Sequence, residues 1–209
     1  MSWIDSSELP MTKRDAPAMP VGGAKSQRTR DKLLSSARFW FSERSYDAVG
    51  VREIAQRADV DPAMISRHFG GKQGLFVAAC DGAFDVVAHL PADSANIGRF
   101  LAGAAVGTSG TEDPDGFNAL SLLLLSSDSP EVAEALSAAF KDGFINPLAA
   151  KLSGKDAAGR AAAIAACVVG LATVCHRLGL GSRSHAAKAA ERSMGDAIQR
   201  MVDDRTEGR

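Results

Sequence analysis

Two short helical patterns that meet at a tight corner fill residues 51–69, and they constrain the fold more than any other stretch. Asp61 followed by Pro62 is a helix start signal, because an aspartate side chain accepts the free amides of a first turn and proline fits the first helical position. On both sides of this signal, apolar residues recur at helical spacing and predict one buried face. That face comprises Ile54, Ala55, Ala58, Ile65 and Phe69. The spacing therefore predicts a helix-turn-helix.

The second helix of this motif is expected to turn small, polar and basic side chains outward, which suits a DNA major groove. Arg67 is a candidate for base readout, because a guanidinium can bond both O6 and N7 of guanine, and a phosphate contact is the equal alternative. His68 can donate to a phosphate or a base, or pack against the preceding helix. Lys72 opens the next helix, where an ammonium group and a helix amino terminus both favour a phosphate. The candidate DNA contacts are Arg52, Pro62, Ala63, Ser66, Arg67, His68 and Lys72.

The stretch from about Gln27 to Phe76 resembles the amino-terminal domain of the tetracycline-repressor (TetR) family of transcriptional regulators. This resemblance covers about a quarter of the chain. The matching positions are Arg30, Leu33, Leu34, Ala37 and Phe41 in a first helix, Tyr46 in a loop, residues 51–58 and 62–69 in the motif, and Lys72 and Leu75 in a fourth helix. The resemblance implies an all-α protein with an N-terminal three-helix DNA-binding domain and a C-terminal helical bundle for ligand binding and dimerisation. It also implies a double-stranded operator of two-fold symmetry.

Three positions depart from the family pattern. Gly50 stands where a threonine or serine commonly caps the second helix and bonds a phosphate, and glycine offers no hydroxyl. Ser66 stands where a tyrosine is usual, so a phosphate contact from that position needs a shorter reach or a water. Asp59 replaces the turn glycine, and aspartate is among the residues that best tolerate positive φ. These departures leave the predicted fold intact and alter the expected contacts.

Charge is distributed unevenly along the chain, although the whole carries only −1. Residues 25–72 hold ten basic and six acidic side chains, a net +4, whereas residues 73–209 hold twelve and sixteen, a net −4. A basic front and an acidic back orient a protein on a polyanion, although +4 over this length is also within ordinary surface variation.

Composition favours helices throughout. Strand signals are almost absent, aromatics make up 6%, and alanine is abundant, which favours closely packed helices. The first residues are polar and punctuated by proline, unlike a signal peptide, so a cytoplasmic location is expected. The longest uncharged apolar run, residues 161–175, is shorter than the roughly 18 residues that suggest a membrane span. It is predicted to be a buried helix, with no membrane partner.

The chain divides into a flexible extension over residues 1–24, a helix-turn-helix domain over 25–80, and an effector-binding and dimerisation domain over 81–209. Prolines and a glycine pair are expected to break any helix in the extension. Helices are predicted at Thr29–Glu43, Lys72–Leu90, Ser94–Val106, Gly116–Ser126, Pro130–Ser153, Ala157–Leu180 and Ser184–Asp204. A shift of the long helix that starts at Lys72 would move the recognition helix, because it connects the two domains.

The middle helices carry aromatic residues that can line a ligand pocket or fill an ordinary core. Asn146 and Pro147 are expected to kink the helix that starts at Pro130 and to free backbone carbonyls, which makes room for a ligand. No charged cluster identifies the ligand, so a hydrophobic or amphipathic small molecule is the mildest hypothesis. The pocket candidates are Phe84, Phe100, Phe117, Phe140 and Phe144.

The last two predicted helices carry apolar seams at alternating spacings of three and four residues. In the family that the chain resembles, two C-terminal helices of each subunit form a four-helix dimer interface, so these seams are candidates for a homodimer contact. Burial in their own subunit is the alternative. The interface candidates are Ile164, Val168, Leu171, Cys175, Leu178, Met194 and Met201.

No sequence pattern of an enzyme is present: the chain has no nucleophile elbow, no HExxH and no phosphate loop. The histidines and cysteines lack the spacing of a zinc site, and no cofactor is predicted. The function predicted is a DNA-binding transcriptional regulator, most simply a repressor released by an effector. The alternative is a helical interaction or redox-sensing protein whose helix-turn-helix has drifted, as Gly50 and Ser66 suggest.

Overall fold

The computed structural model describes residues 21–85, 87–108, 117–181 and 184–203, and within these ranges every regular element is helical. An N-terminal helix-turn-helix domain is followed by a C-terminal helical domain, which confirms the predicted all-α class. The helices are α1 Val21–Glu43, α2 Val51–Ala58, α3 Ala63–Phe69, α4 Lys72–Cys80, α5 Ile97–Val106, α6 Ala119–Ser126, α7 Ala133–Phe140, α8 Asn146–Lys151, α9 Ala157–Ala172 and α10 His185–Asp203.

Three aromatic rings form the centre of the helix-turn-helix domain. Phe41 of α1 lies edge-on to Phe76 of α4, with ring centroids 5.0 Å apart. Tyr46, in the loop after α1, lies edge-on to Phe76 at 5.3 Å and stacks on Phe41 at 6.0 Å. These rings are buried together with Leu33 and Ala37, which belong to the apolar stripe predicted for α1. The stripe therefore holds α1 against α4 and against the loop that leads into α2.

Two aspartates shape the corner between α2 and α3. Asp59 has φ 54° and ψ 52°, the left-handed conformation expected at this turn. Asp61 Oδ1 accepts a hydrogen bond from Ala63 N at 2.7 Å and so caps the first turn of α3. Ile54 and Ile65, from the two helices, are both buried as the motif predicts.

Helix α1 begins earlier than its sequence pattern indicates. It starts at Val21, whereas the sequence pattern predicts a start at Thr29. The glycine pair lies within the first turn of the helix. Glycine costs less at a helix end than in the interior, and the exposed extension gains a hydrogen bond from Gln27 Nε2 to Asp31 Oδ1 at 2.8 Å. The predicted flexible extension is thus wrong from Val21 onward, and residues 1–20 lie outside the described part of the chain.

The predicted Lys72–Leu90 helix is wrong in its second half. Helix α4 ends at Cys80, and Asp81 is extended, with φ −63° and ψ 122°. Gly82 follows with φ +68°, a conformation that glycine adopts freely. A single 3-10 turn occupies Val87–His89. The aspartate–glycine pair is therefore a turn that separates a short helix from irregular chain.

A π-helical turn interrupts the long helix predicted over Pro130–Ser153. Helix α7 ends at Phe140, the π turn covers Lys141–Ile145, and α8 resumes at once. Pro147 lies in the first turn of α8. Proline lacks an N–H and its ring clashes with the carbonyl four residues earlier, so the helix widens just before it. The interruption expected at this proline thus takes the form of a π turn.

Helices α5 and α10 touch through glycine. A Cβ atom placed on Gly98 would lie 2.3 Å from Gly195 O, closer than real Cβ contacts. Gln199 of α10 secures the crossing, because its Oε1 accepts a hydrogen bond from Gly98 N at 2.8 Å. The two helices therefore pack backbone against backbone over this crossing.

Among the described residues, the segment Ala157–Arg177 has the length and composition of a membrane span, with a mean hydropathy of 1.8. The core helix of a soluble protein can have the same length and composition. Ala161 and Ile164 on this helix are buried. Arg160 lies within it and donates to Met201 O at 2.9 Å, which ties α9 to α10. These contacts are those of a core helix, as predicted.

Replacing Phe41 by alanine should unfold the helix-turn-helix domain first. The ring is completely buried, and truncation of a buried phenylalanine costs about 3–5 kcal/mol. Chemical denaturation of the full chain would measure this loss. Val77→Ala is the matched control, because Val77 on α4 is 47% exposed and its truncation should change stability by less than about 1 kcal/mol. Equal effects of the two changes would contradict the described packing.

Candidate DNA-binding surface and ligand cavity

Helix α3 presents the predicted polar and basic face outward. Ser66 and Arg67 are exposed, as are Pro62 and Ala63 at its start, whereas His68 is half-buried. No hydrogen bond or ion pair within the described chain engages the Arg67 side chain. Its guanidinium is therefore free to meet a base edge or a phosphate.

The two flanking candidates lie on different helices. Arg52 is exposed in the first turn of α2. Lys72 begins α4 but is half-buried, because its Nζ lies over the Tyr46 ring, 4.2 Å from the ring centroid. This cation–π contact restrains the ammonium group against the aromatic centre of the helix-turn-helix domain.

A carboxylate occupies the amino terminus of α2, where Gly50 provides no hydroxyl. Glu53 Oε2 accepts a hydrogen bond from Gly50 N at 2.9 Å, and Glu53 Oε1 forms an ion pair with Arg44 Nη2 at 2.7 Å. The Arg44 hydrogen bond, followed by the Gly50 amide, lowers the pKa of this carboxyl. Arg44 also stacks on the Trp40 ring, 4.6 Å from its centroid. Sequence reasoning missed this role of Glu53, although a glutamate three residues after a cap is a capping-box signal.

Helix α4 lies directly against the end of α3, which is the predicted recognition helix. A Cβ atom on Gly74 would lie 1.8 Å from Phe69 O, so only glycine allows this approach. Gly70 and Gly71, which join the two helices, have φ +75° and +125°. Because no space separates α3 from α4, a displacement of α4 must carry the recognition helix with it.

The loop before α2 is bonded to the corner between α6 and α7. Tyr46 N donates to Ser126 Oγ at 3.0 Å, and Tyr46 Oη donates to Glu131 Oε1 at 2.7 Å. Burial, and then Glu131, raise the pKa of Tyr46. Ser129 Oγ donates to Asp47 Oδ2 at 2.6 Å. These hydrogen bonds fix the helix-turn-helix domain to the C-terminal domain.

A cavity of about 560 Å³ lies between the two domains and the middle helices. Most small-molecule sites have volumes of this order. Its wall includes four of the predicted phenylalanines, Phe84, Phe117, Phe140 and Phe144. The full lining also includes Arg38, Gly82, Ala83, Asp85, His89, Leu101, Ala104, Gly107, Asn118, Ala119, Leu120, Val168 and His176.

The aromatic wall of the cavity is arranged by the π turn. Phe140 and Phe144 stack at 5.5 Å with an angle of 8° between their planes, and Phe84 meets Phe140 edge-on at 5.3 Å. The prediction that Phe100 lines the cavity is wrong, because this side chain packs against the core and is absent from the cavity wall. The next residue on α5, Leu101, does line it, and successive helical residues point about 100° apart.

Polar groups of the cavity were missed by sequence reasoning. Arg38 comes from α1, and its Nη2 donates to Asp81 O at 2.7 Å while its guanidinium lies 5.3 Å from the Phe117 ring centroid. His176 Nε2 lies 3.0 Å from Ala105 O. No local pattern marks these residues, since Arg38 reaches the cavity from α1 and His176 from the π-helical turn after α9.

The apolar seam on the last two helices is split between the interior and the surface. Ile164, Val168, Leu171 and Cys175 are buried within their own chain, which was the alternative reading of this seam, so they are unavailable to a partner in this conformation. Leu178, by contrast, is 73% exposed. Met194 and Met201 are half-buried on α10.

The cysteines are free thiols, and two of them are deeply buried. Burial raises the pKa of Cys80 to about 12, and burial, followed by the charge of Glu191, raises the pKa of Cys175. A thiol reacts through its thiolate, so these two groups are poorly suited to redox sensing. Across the described ranges, no group of three or more histidine, cysteine or acidic side chains is placed to hold a metal ion.

Two family profiles match this chain. "Bacterial regulatory proteins, tetR family" matches residues 33–79, and "Tetracyclin repressor-like, C-terminal domain" matches residues 95–202, more than half of the chain. The protein belongs to the TetR family. The resemblance inferred from the N-terminal residues is thereby confirmed, and the chain is a TetR-family transcriptional regulator.

Individual TetR-family relatives match over different lengths. The Bacillus subtilis protein named "Probable HTH-type transcriptional regulator YttP" is 47% identical over 47 residues, which is 22% of this chain and 23% of that protein. The structure of NalD, the secondary repressor of the MexAB-OprM multidrug efflux pump in Pseudomonas aeruginosa, has a TM-score of 0.59 and 18% identity over 86% of this chain and 99% of its own. A TetR-family regulator (SCO0857) from Streptomyces coelicolor A3 is 26% identical over 85% and 96%, with a TM-score of 0.49.

Replacing Gly74 by alanine should push α4 away from the recognition helix. The new Cβ would overlap Phe69 O, and such overpacking typically costs about 1–3 kcal/mol. We expect lower stability in chemical denaturation together with weaker DNA binding. Gly23→Ala is the control, because a Cβ on Gly23 of α1 meets no atom within 4 Å. A Gly74→Ala protein as stable as the wild type would show that α4 is not seated on α3 in this way.

Proposed function

We propose that this TetR-family regulator is a cytoplasmic homodimeric repressor that binds a two-fold symmetric double-stranded operator. The observation that carries the proposal is the outward face of α3, on which Ser66 and Arg67 are exposed while Ile65 anchors the helix in the core. A short helix held from behind, with small and basic side chains in front, fits a major groove. In this proposal residues 25–80 form the DNA-binding unit, and 81–209 bind the effector and the second subunit.

Individual contacts follow from the placement of each side chain. Arg67 reads a base edge or binds a phosphate, with Pro62 and Ala63 close enough to the groove floor for a thymine methyl. Arg52 and Lys72 flank the helix and bind the backbone, which sets affinity rather than sequence preference. The Glu53 carboxylate at the amino terminus of α2 repels a phosphate at that point, so the DNA backbone is contacted beside α2 and not at its first amides.

The second subunit is proposed to pack on the outer face of α9 and of the π-helical turn Thr173–Arg177 that follows it directly. Gly170, Val174 and Leu178 follow one another at intervals of four residues, and each is exposed. Val174 and Leu178 are large apolar side chains that are 41% and 73% exposed, which an interface would cover. Two subunits also supply two reading heads, meaning two copies of the helix-turn-helix domain of residues 25–80, which a symmetric operator requires.

The cavity is proposed to bind a small apolar or amphipathic effector that releases the DNA. Helix α6 has its first turn in the cavity wall and ends at Ser126, which accepts the hydrogen bond from Tyr46 N. Helix α4 begins against α3 and ends at Cys80, and residues 82–85 that follow it line the cavity. An effector that displaces either helix changes the spacing of the two reading heads, and it must bind the released state more tightly by about 1–3 kcal/mol.

The alternative of a redox-sensing protein with a drifted helix-turn-helix has less support. The exposed face of α3 retains its basic residue, and two of the three thiols are buried with raised pKa values. Gly50 suggested drift, but the start of α2 is intact there, because Glu53 accepts a hydrogen bond from the Gly50 amide. We therefore do not favour this alternative.

Arg67→Ala should remove operator recognition without changing the fold. Loss of a two-pronged base contact costs about 1–3 kcal/mol per reading head, which corresponds to a tenfold or larger loss of affinity. The first measurement is capture of genomic DNA fragments by the wild-type protein at moderate salt, followed by titration of the recovered site. Arg192→Ala on α10 removes the same charge from an exposed position outside the reading head and should bind normally.

If the wild-type protein enriches no symmetric site above the Arg67→Ala protein, α3 is not a reading head. Enrichment that is equally reduced by Arg192→Ala would indicate a general charge effect.

Val174→Glu should dissociate the dimer. A carboxylate at the centre of an apolar interface is left unpaired and desolvated, which is strongly unfavourable. Sedimentation at micromolar concentration would show monomers for this variant and dimers for the wild type. Val77→Glu introduces the same change at a valine of similar exposure on α4 and should remain dimeric. If Val174→Glu sediments as a dimer, the interface lies on another face.

A further inference from the structure

The cavity contains a guanidinium group with one edge engaged and one edge free. Arg38 Nε donates to Ala79 O at 3.2 Å, and Nη2 donates to Asp81 O at 2.7 Å. Both acceptors are carbonyls at the carboxyl end of α4. Within the described ranges, Arg38 Nη1 makes no hydrogen bond, and the residue lines the cavity. The guanidinium therefore caps α4 on one side and presents parallel N–H groups on the other.

A carboxylate is the acceptor that fits such an edge. Guanidinium and carboxylate groups pair through two parallel hydrogen bonds, which are shorter and stronger than neutral ones. The rest of the wall suits an apolar body, because Phe84, Phe117, Phe140 and Phe144 contribute rings. We propose that the cavity binds an aromatic or similarly apolar molecule with one carboxylate, and that Arg38 binds that carboxylate. This inference rests on the proposed effector function of the cavity.

The other polar groups of the wall are consistent with an acid of single charge. Asp85 also lines the cavity and opposes additional negative charge. His89 Nδ1 lies 3.0 Å from the backbone carbonyl of Asp85, and His176 Nε2 lies 3.0 Å from that of Ala105. One nitrogen of each ring is thus engaged by backbone, whereas Arg38 is the lysine or arginine side chain that lines the cavity and carries a permanent charge. A neutral ligand would leave the free Arg38 donors cut off from water without an acceptor, which is unfavourable.

Arg38 also places the acid where the DNA-binding domain can respond to it. The residue belongs to α1, and its engaged edge holds the last carbonyls of α4. A carboxylate bound to the free edge polarises the same guanidinium. Through the Arg38 side chain it is linked to both α1 and α4, two helices of the helix-turn-helix domain. The wall residues from the C-terminal domain supply shape, whereas Arg38 supplies the charge.

The test compares two probes of one shape, biphenyl-4-carboxylate and its neutral carboxamide, by calorimetry on the full-length protein. In the wild type, the carboxylate should bind about tenfold or more tightly than the carboxamide, as expected for a charge-assisted pair. Arg38→Gln should abolish that preference while the carboxamide affinity stays within about threefold. Arg57→Gln is the matched control: Arg57 also stacks on a phenylalanine, 3.6 Å from the Phe39 ring centroid, but lies outside the cavity wall. It should keep the full preference.

Each remaining result overturns the inference. Equal affinity of the two probes in the wild type, or no binding of either, rejects the acidic ligand class. A preference that survives in Arg38→Gln rejects Arg38 as the binding group.

Arg38→Lys is a second variant, needed because Arg38 also caps α4. It retains the charge without the two-pronged edge, so it should lose most of the preference for the carboxylate while unfolding near the wild-type temperature. Operator capture by the wild type is measured separately, so failure of the proposed repressor function is distinguishable from failure of this inference.

Discussion

The hydrogen bonds of Tyr46 hold the two parts of this protein together, and much of the remaining architecture depends on them. The ring belongs to the buried aromatic centre of the helix-turn-helix domain, while the hydroxyl donates to Glu131 and the backbone amide donates to Ser126. Burial raises the pKa of this phenol above its ordinary range, so the hydroxyl stays protonated and remains a donor. One residue therefore belongs to the core of the reading head and to its attachment at the same time.

Two short helices connect this attachment to the cavity. Helix α6 has its first turn in the cavity wall and ends at Ser126, whereas α4 ends at the carbonyls that Arg38 caps and begins against Phe69 O. Both are short, so neither can absorb a displacement along its length by bending. Close-packed elements switch between discrete arrangements rather than deforming continuously. In the proposed effector mechanism, the absence of free space at Gly74 would therefore pass a shift of α4 on to α3.

The local parts of the structure could be predicted from the sequence, and the distant contacts could not. The helix-turn-helix was predictable because the Asp61–Pro62 start signal and the apolar spacing on both sides of it lie within a few residues of each other. The end of α4 was mispredicted, since the apolar residues after Gly82 resemble helix continuation while the aspartate–glycine pair is a turn. Four phenylalanines of the cavity wall were predicted because they are the aromatic residues of the middle helices. Phe100 was wrongly assigned to the wall, because neighbouring residues on a helix point about 100° apart. Arg38 could not be found, because its role depends on the meeting of α1 with the end of α4.

The position of Trp40 gives the reading head an optical reporter of its own. The chain has two tryptophans, and Trp3 lies in the N-terminal segment outside the described residues. Trp40 packs against Phe39 at 5.1 Å and under the Arg44 guanidinium, and its buried indole N–H has no acceptor among the described residues. Arg44 is in turn held by Glu53 at the first turn of α2. Indole emission depends on the polarity and charge of its surroundings, so any event that releases Glu53 from the amino terminus of α2 changes the light emitted by a side chain on α1.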